Sequence, residues 1–160
     1  MTAAEYPSRR QHAGVLLLIV IWLSATAWAR PLMLPDEGRY AGVAWEMLRS
    51  GDWLTPTLDG LPFFHKPPLF YWLTASALSV FGLNEWAARM ASIVGASAGA
   101  YALYLYVVRY AGLRAARMAL LVLLTQLLFF GGSQFANLDM LVAGCIGATI
   151  LLAAHAAENA

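Results

Sequence analysis

Charged residues are scarce in this chain, so the few that gather are conspicuous. Asp36-Glu37-Gly38-Arg39-Tyr40 sets two carboxylates, a guanidinium and a phenol side by side. His65 and Lys66 stand directly before Pro67-Pro68. Asp139 is the only charged residue between Arg117 and Glu158. A carboxylate can take a proton from an acceptor hydroxyl or orient it. Fixed cations in a partly dry site stabilise negative charge that grows on a departing phosphate. The two prolines fix the backbone and so the direction in which the Lys66 amine projects. A divalent metal is a further option, with Asp36, Asp139 and His65 as candidate ligands. One histidine and two distant acids make a weak donor set.

These groups must be held by a chain that is 61% hydrophobic and 12% charged. Soluble domains carry about 45–50% apolar and about 25% charged residues. The composition excludes a disordered chain and an ordinary soluble domain, and points to a polytopic membrane protein. A net charge of +1 gives no basis for a nucleic-acid partner. The single cysteine, Cys145, excludes a disulfide framework or a multi-thiolate metal site.

Five stretches lack Asp, Glu, Lys and Arg: 13–29, 67–84, 90–108, 118–138 and 140–157. A membrane-crossing helix needs about 17–25 mostly apolar residues. The first stretch follows Arg9 and Arg10 and resembles a signal peptide, but it exceeds the usual apolar core of about 7–15 residues. It reads as an uncleaved first span with a cytoplasmic N-terminus. In 67–84 the clean apolar part, 69–81, is short, as in interfacial or re-entrant segments. Omitting it leaves four spans, near 13–29, 90–108, 118–136 and 140–157, with a first outer loop at 30–89. Arg109, Arg114 and Arg117 then share the side of Arg9 and Arg10, as the positive-inside rule asks. A five-span chain remains open on raw charge count. The four-span arrangement puts Asp36 and Asp139 on one face; five spans put them on opposite faces.

Within the outer loop, Asp36 is placed to cap a helix over 37–50. Tyr40, Val43, Ala44, Met47 and Leu48 form its apolar stripe, and Gly51 ends it. Such a helix beside a span is suited to the membrane interface. Gly51-Asp52, Pro56, Asp59-Gly60 and Pro62 are turn signals. Trp53, Phe63, Phe64, Tyr71 and Trp72 suit the headgroup level. The expected fold is all-α: a polytopic transmembrane helical bundle of about four spans, with interfacial amphipathic helices in the first extracytoplasmic loop.

The combined pattern carries a resemblance. It comprises Asp36 to Ala41, Met47-Leu48, Gly51-Asp52-Trp53, Pro56, Phe64 to Leu69, Tyr71-Trp72, Phe81-Gly82 and Ala87-Ala88-Arg89. It resembles bacterial polyprenyl-phosphate-dependent glycosyltransferases, namely the aminoarabinose transferases acting on lipid A and related protein-mannosyltransferase-like enzymes. The resemblance implies a C-type glycosyltransferase fold. It implies catalytic roles for Asp36 and Asp139, and substrate-contacting roles for Glu37, Arg39, Tyr40 and Lys66. It implies a polyprenyl-phosphate-sugar donor, a lipid or glycan acceptor, and an extracytoplasmic site in the bacterial inner membrane. The aminoarabinose transferases carry Glu where this chain has His65, which leaves sugar and acceptor open. Family members run to several hundred residues, so 1–160 reads as an N-terminal part. A protein O-mannosyltransferase-like enzyme and a non-catalytic membrane scaffold or lipid-binding module are the alternatives.

Each residue also has a plainer reading. Asp36 or Asp139 could simply cap a helix, and Lys66 could reach for headgroups. The Gly95-Ala-Ser-Ala-Gly99 run is expected to be a helix-packing surface with no chemistry of its own.

Overall fold

The computed structural model describes residues 7–158. The extreme N-terminus, expected in the cytoplasm, lies outside them. Among the described residues are seven helices and one short hairpin: α1 (Arg9–Ser24), α2 (Asp36–Ser50), β1 (Thr57–Leu58), β2 (Leu61–Pro62), α3 (Leu69–Phe81), α4 (Glu85–Ala88), α5 (Met90–Thr125), α6 (Leu127–Ser133) and α7 (Leu138–Glu158).

The expected 13–29 helix starts and stops earlier. Ser8 and Gln11 form a capping box that starts α1 at Arg9. Residues 25–29 form turns. Among the described residues two helices, α5 and α7, are long and apolar enough to cross a membrane.

The helix α5 takes in the expected span 90–108 and the first part of 118–136, without the intervening loop. Its only non-helical residue is Gly112, at φ 85° and ψ 171°, a backbone state that glycine reaches without strain. There the chain turns back. Ala116 and Leu120, beyond the turn, share one core with Ala96, Ala100 and Tyr104 before it, and with Ile19 and Leu23 of α1. The Trp22 indole donates to the Leu124 carbonyl at 3.1 Å. Both ends of α5 therefore meet the C-terminal end of α1. The 118–136 segment is also interrupted, because Gln126 is extended (φ −65°, ψ 124°) between α5 and α6. The Thr125 hydroxyl bonds back to the Leu121 carbonyl at 2.6 Å, a contact that bends helices.

At the other end, the His12 and Tyr104 rings meet at 5.6 Å, and Tyr110 contacts His155. Arg9, Arg10, Arg109, Arg114 and Arg117 belong to this end, which also holds the Gly112 turn. The outward faces are strongly apolar: Leu17, Leu18, Leu121, Val122, Leu127, Leu128, Ile146 and Ile150 are all exposed. Such a contiguous apolar exterior suits lipid better than water.

The 95–99 run is a packing surface, as expected. A Cβ on Gly144 would lie 1.9 Å from the Gly95 carbonyl oxygen, and one on Gly95 would lie 2.3 Å from the Leu141 Cα. Only glycine permits this backbone approach of α7 to the first arm of α5. Gly144→Leu is expected to cost about 1–3 kcal/mol or more through overpacking. Gly147→Leu, where a Cβ meets nothing within 4 Å, should be near neutral. Thermal unfolding in detergent checks the pair, and equal melting of the two variants would contradict the packing account.

The helix α3 has 13 residues, about 20 Å at 1.5 Å per residue, against a hydrocarbon core of about 30 Å. The stripe of α2 is present, but it does not face lipid. Tyr40, Val43, Ala44 and Met47 pack in one core with Phe70, Tyr71, Ala75 and Leu78 of α3. This corrects the expected role of Tyr71, which is fully buried and takes no place in an interfacial belt. Burial pushes its phenol up to about 12, reinforced by Tyr40 and opposed by Arg39.

Candidate active site

Asp36 is the first residue of α2 and does not cap it; the N-cap position falls on Pro35 and carries no side-chain hydrogen bond. Its carboxylate is exposed and pairs with the Arg39 guanidinium one turn on. Arg39 lies over the Tyr40 ring at 5.8 Å. Tyr40 is wedged against Phe70, with ring centroids 5.3 Å apart. An α2 buried along one face thus presents Asp36 and Arg39 outward from a firm base.

Lys66 reaches the same place by another route. Asp59 and Gly60 take positive φ (53° and 74°), the turn that an Asp-Gly pair favours in a two-residue hairpin. Glu46 of α2 holds that hairpin: it accepts from the Thr57 hydroxyl at 2.7 Å and from the backbone N–H groups of Asp59 (2.7 Å) and Gly60 (3.3 Å). The chain emerging from it places Phe63, His65 and Lys66 with Arg39 and Tyr40 around a cleft of about 70 Å³. Its size and its two cations suit a phosphate group better than a sugar.

The Thr57 hydrogen bond is the main reason the Glu46 carboxyl lies below its ordinary range, with the Gly60 and Asp59 amides adding to it. A depressed folded-state value means that the support is present above the unfolded carboxyl range and is lost as pH falls through the folded value. Glu46→Ala is expected to raise hydrogen exchange at the Asp59 and Gly60 amides about tenfold or more, from loss of charge-assisted bonds worth about 1.5–3 kcal/mol. Unchanged protection would show that the hairpin stands without Glu46.

Glu37 requires a correction. Expected to contact substrate, it has no exposed surface. Its Oε1 accepts from Arg89 Nε at 2.8 Å and from the Ala136 backbone N–H at 2.8 Å. Its Oε2 accepts from Arg89 Nη2 at 3.0 Å, from the Met33 N–H at 2.9 Å and from Arg30. With both oxygens engaged inside the protein, a ligand has no access to it. Burial alone raises such a carboxyl, but the bonds from Arg89 and Arg30, then from Ala136 and Met33, outweigh it and bring Glu37 from 4.5 to about 2.

Arg89 enters the sequence pattern only as the end of Ala87-Ala88-Arg89, with no role of its own. Its side chain is the largest of the fully buried ones. Besides Glu37, it donates to the carbonyls of Ala27, Arg30 (3.0 Å) and Pro31 (3.1 Å), so all five guanidinium donors are used. A signal was present: an arginine at the foot of a long apolar helix, beside Ala87-Ala88, must be paired if it is buried.

Asp139 lies in the first turn of α7 and is exposed. The helix is capped instead by Asn137, whose Oδ1 accepts from the Met140 N–H at 3.3 Å. The preceding turn is pinned by Ser92, whose single hydroxyl proton is within hydrogen-bond reach of the carbonyls of Phe135 (2.7 Å) and Asn137 (3.0 Å). The Ala136–Glu37 bond ties this turn to the residue after Asp36. The two acids therefore share one end of the bundle, opposite Arg109, Arg114 and Arg117.

Among the described residues no group of three or more His, Cys, Asp or Glu comes together. His65 stacks on Phe63 at 4.4 Å and shares its cleft with Arg39 and Lys66.

The family model for dolichyl-phosphate-mannose-protein mannosyltransferase matches residues 65–160, more than half of the chain. The chain belongs to that family. A curated relative from Sodalis glossinidius (strain morsitans), undecaprenyl phosphate-alpha-4-amino-4-deoxy-L-arabinose arabinosyl transferase 1, is 40% identical over 129 residues, 79% of this chain and 22% of that protein. The enzyme of the same kind from Pseudomonas aeruginosa (strain LESB58) is 35% identical over 134 residues, 82% of this chain and 24% of its own length. Among solved structures, ArnT from Cupriavidus metallidurans bound to undecaprenyl phosphate superposes with a TM-score of 0.80 at 32% identity. That match covers 90% of this chain and 27% of the other. The chain thus has the ArnT fold over nearly all of its length and spans about a quarter of the length of these family members.

Proposed function

We propose that this chain is the N-terminal part of a membrane glycosyltransferase that moves a sugar from a polyprenyl-phosphate donor to an acceptor on the extracytoplasmic face of the bacterial inner membrane. The observation that carries this reading is the convergence of Arg39, Tyr40 and Lys66 on one small cleft beside Asp36. The relatives named for undecaprenyl-phosphate aminoarabinose transfer support it, as does the fold shared with an ArnT bound to undecaprenyl phosphate.

Four crossings fit the geometry: α1, the two arms of α5 with α6 completing the second, and α7. The segment from α2 to α4 then lies at the outer surface. Arginines at the Gly112 end and the start of α1 would face the cytoplasm.

In the reaction, the bond between the sugar anomeric carbon and the donor phosphate oxygen breaks. An acceptor oxygen forms the new bond, and the lipid phosphate departs with the electron pair. Lys66 and Arg39 stabilise that charge. Asp36 takes the proton if the acceptor is a hydroxyl, and orients the acceptor if it is a phosphate. Asp139 is the second acid on the same face. The acceptor we favour is lipid A or another envelope lipid; a protein hydroxyl is the second reading, favoured by the family model's own description.

Asp36→Asn in the full-length protein, assayed with a polyprenyl-phosphate-linked aminoarabinose donor, is expected to reduce transfer at least a hundredfold. Transfer within threefold of the unmodified protein would sink the assignment. Labelling single cysteines at 36, 114 and 139 in a Cys145→Ala background tests the sidedness: 36 and 139 should react from outside and 114 should not.

A further inference from the structure

We propose that Glu37 and Arg89 form a strut that sets where Asp139 stands relative to Asp36, which makes Glu37 a positioning residue that never touches substrate. The inference rests on the reading of both aspartates as site acids. Its basis is one carboxylate bridging three segments. Through its backbone, Glu37 is continuous with Asp36 and the first turn of α2. Through Oε1 it holds the Ala136 N–H at 2.8 Å, three residues before Asp139. Through both oxygens it is held by Arg89 at 2.8 and 3.0 Å, at the head of α5.

The 134–137 turn has further ties to the same anchor. Arg30, which also pairs with Glu37, donates to the Gln134 carbonyl at 2.9 Å. Ser92, one turn beyond Arg89 on the α5 side, holds Phe135 and Asn137. Asp36 and Asp139 themselves make no bond to each other or to this network, apart from the Asp36–Arg39 pair on the surface. Their relative placement is therefore inherited from the buried carboxylate. If Glu37 served only to neutralise Arg89, any carboxylate would do. A strut also has a length, because Oε1 must reach the Ala136 N–H and Arg89 Nε together, each at 2.8 Å.

Glu37→Asp separates these roles, since it keeps the charge and shortens the arm by one methylene. We would compare it with the unmodified full-length protein carrying spin labels at Arg49 and Ala143, both exposed, in a Cys145→Ala background. The expected result is a broadened or shifted distance distribution between α2 and α7, with kcat reduced about tenfold or more and the donor KM within twofold, because the Arg39–Lys66 cleft is not disturbed. A distance distribution and kcat equal to the unmodified protein would overturn the proposal. So would a loss of kcat with the distance unchanged. Should Glu37→Asp fail to fold, Arg89→Lys, which keeps the charge but gives up the two-pronged grip, replaces it. The same distance and kcat measurements then support or overturn the strut by the same outcomes. Failure of the parent reading looks different: Asp36→Asn would retain transfer while the distance measurement still reported the strut.

Discussion

Arg89→Ala is expected to be the most destabilising single change at the end of the bundle that carries Asp36 and Asp139, costing about 3–5 kcal/mol. Removing one partner of a buried ion pair leaves the other charge desolvated and unpaired, and that is the range such removals reach. Here the loss extends further, because the carbonyls of Ala27, Arg30 and Pro31 lose their donor as well. The pH dependence gives an independent check. Glu37 at about 2 in the folded chain against 4.5 ordinarily corresponds to about 3 kcal/mol, at 1.36 kcal/mol per unit. Because the folded value is the lower one, this contribution is complete above about pH 4.5 and is lost as pH falls towards 2. Without Arg89, burial works against the Glu37 charge with less opposition, so the loss of stability between pH 4.5 and 2 should shrink. Unfolding in detergent at pH 7 and at pH 3, for both proteins, measures this. A variant within about 1 kcal/mol of the parent, with the same pH slope, would show that the network is dispensable.

Lys66→Gln should give the larger effect on chemistry, a fall in transfer of about 10²–10³, the cost typical of removing one donor aimed at developing charge. The glutamine keeps much of the length and a hydrogen-bond donor, so the comparison isolates the charge. Lys66→Arg should recover part of the rate, since a cation returns to the cleft with a different shape. The loss should appear mainly in kcat, because the leaving phosphate gains charge only as the sugar bond breaks. Single-turnover transfer in the full-length protein separates this from donor binding. A rate within threefold of the parent for Lys66→Gln would leave Lys66 a headgroup contact and transfer its role to Arg39.

Much of the site is legible in the sequence, because it is built from local patterns. The α2 stripe follows from apolar residues at helical spacing, and its end at Gly51 is observed, with the Gly51 N–H bonded to the Met47 carbonyl. The Asp-Gly turn follows from backbone preference. Asp36, Arg39, Tyr40 and Lys66 draw notice because charges and a phenol are conspicuous in so apolar a chain. Their convergence on one cleft is not legible, since it depends on Glu46 clasping the hairpin that delivers Lys66.

The misreadings share a cause. Glu37 looks like the companion of Asp36 because the two are adjacent. On a helix, adjacent residues point about 100° apart, so one faces out and the other faces the core. Arg89 looks like the end of a loop because a charge before an apolar run normally faces water. The continuity of α5 through Arg109, Arg114 and Arg117 is hidden for a similar reason, as those arginines resemble a loop until Gly112 is seen to make the whole turn.

Composition and periodicity alone determined that this chain is helical, strongly apolar and polar mainly in one loop, because those properties depend on which residues are near in sequence. Tertiary structure alone decided that Asp36 and Asp139 share an end, that Glu37 is internal, and that Arg89 ties residues 27–31 to Glu37. Those outcomes depend on hydrogen bonds spanning 52 and 99 residues, and no local pattern encodes which distant donor will satisfy a buried charge.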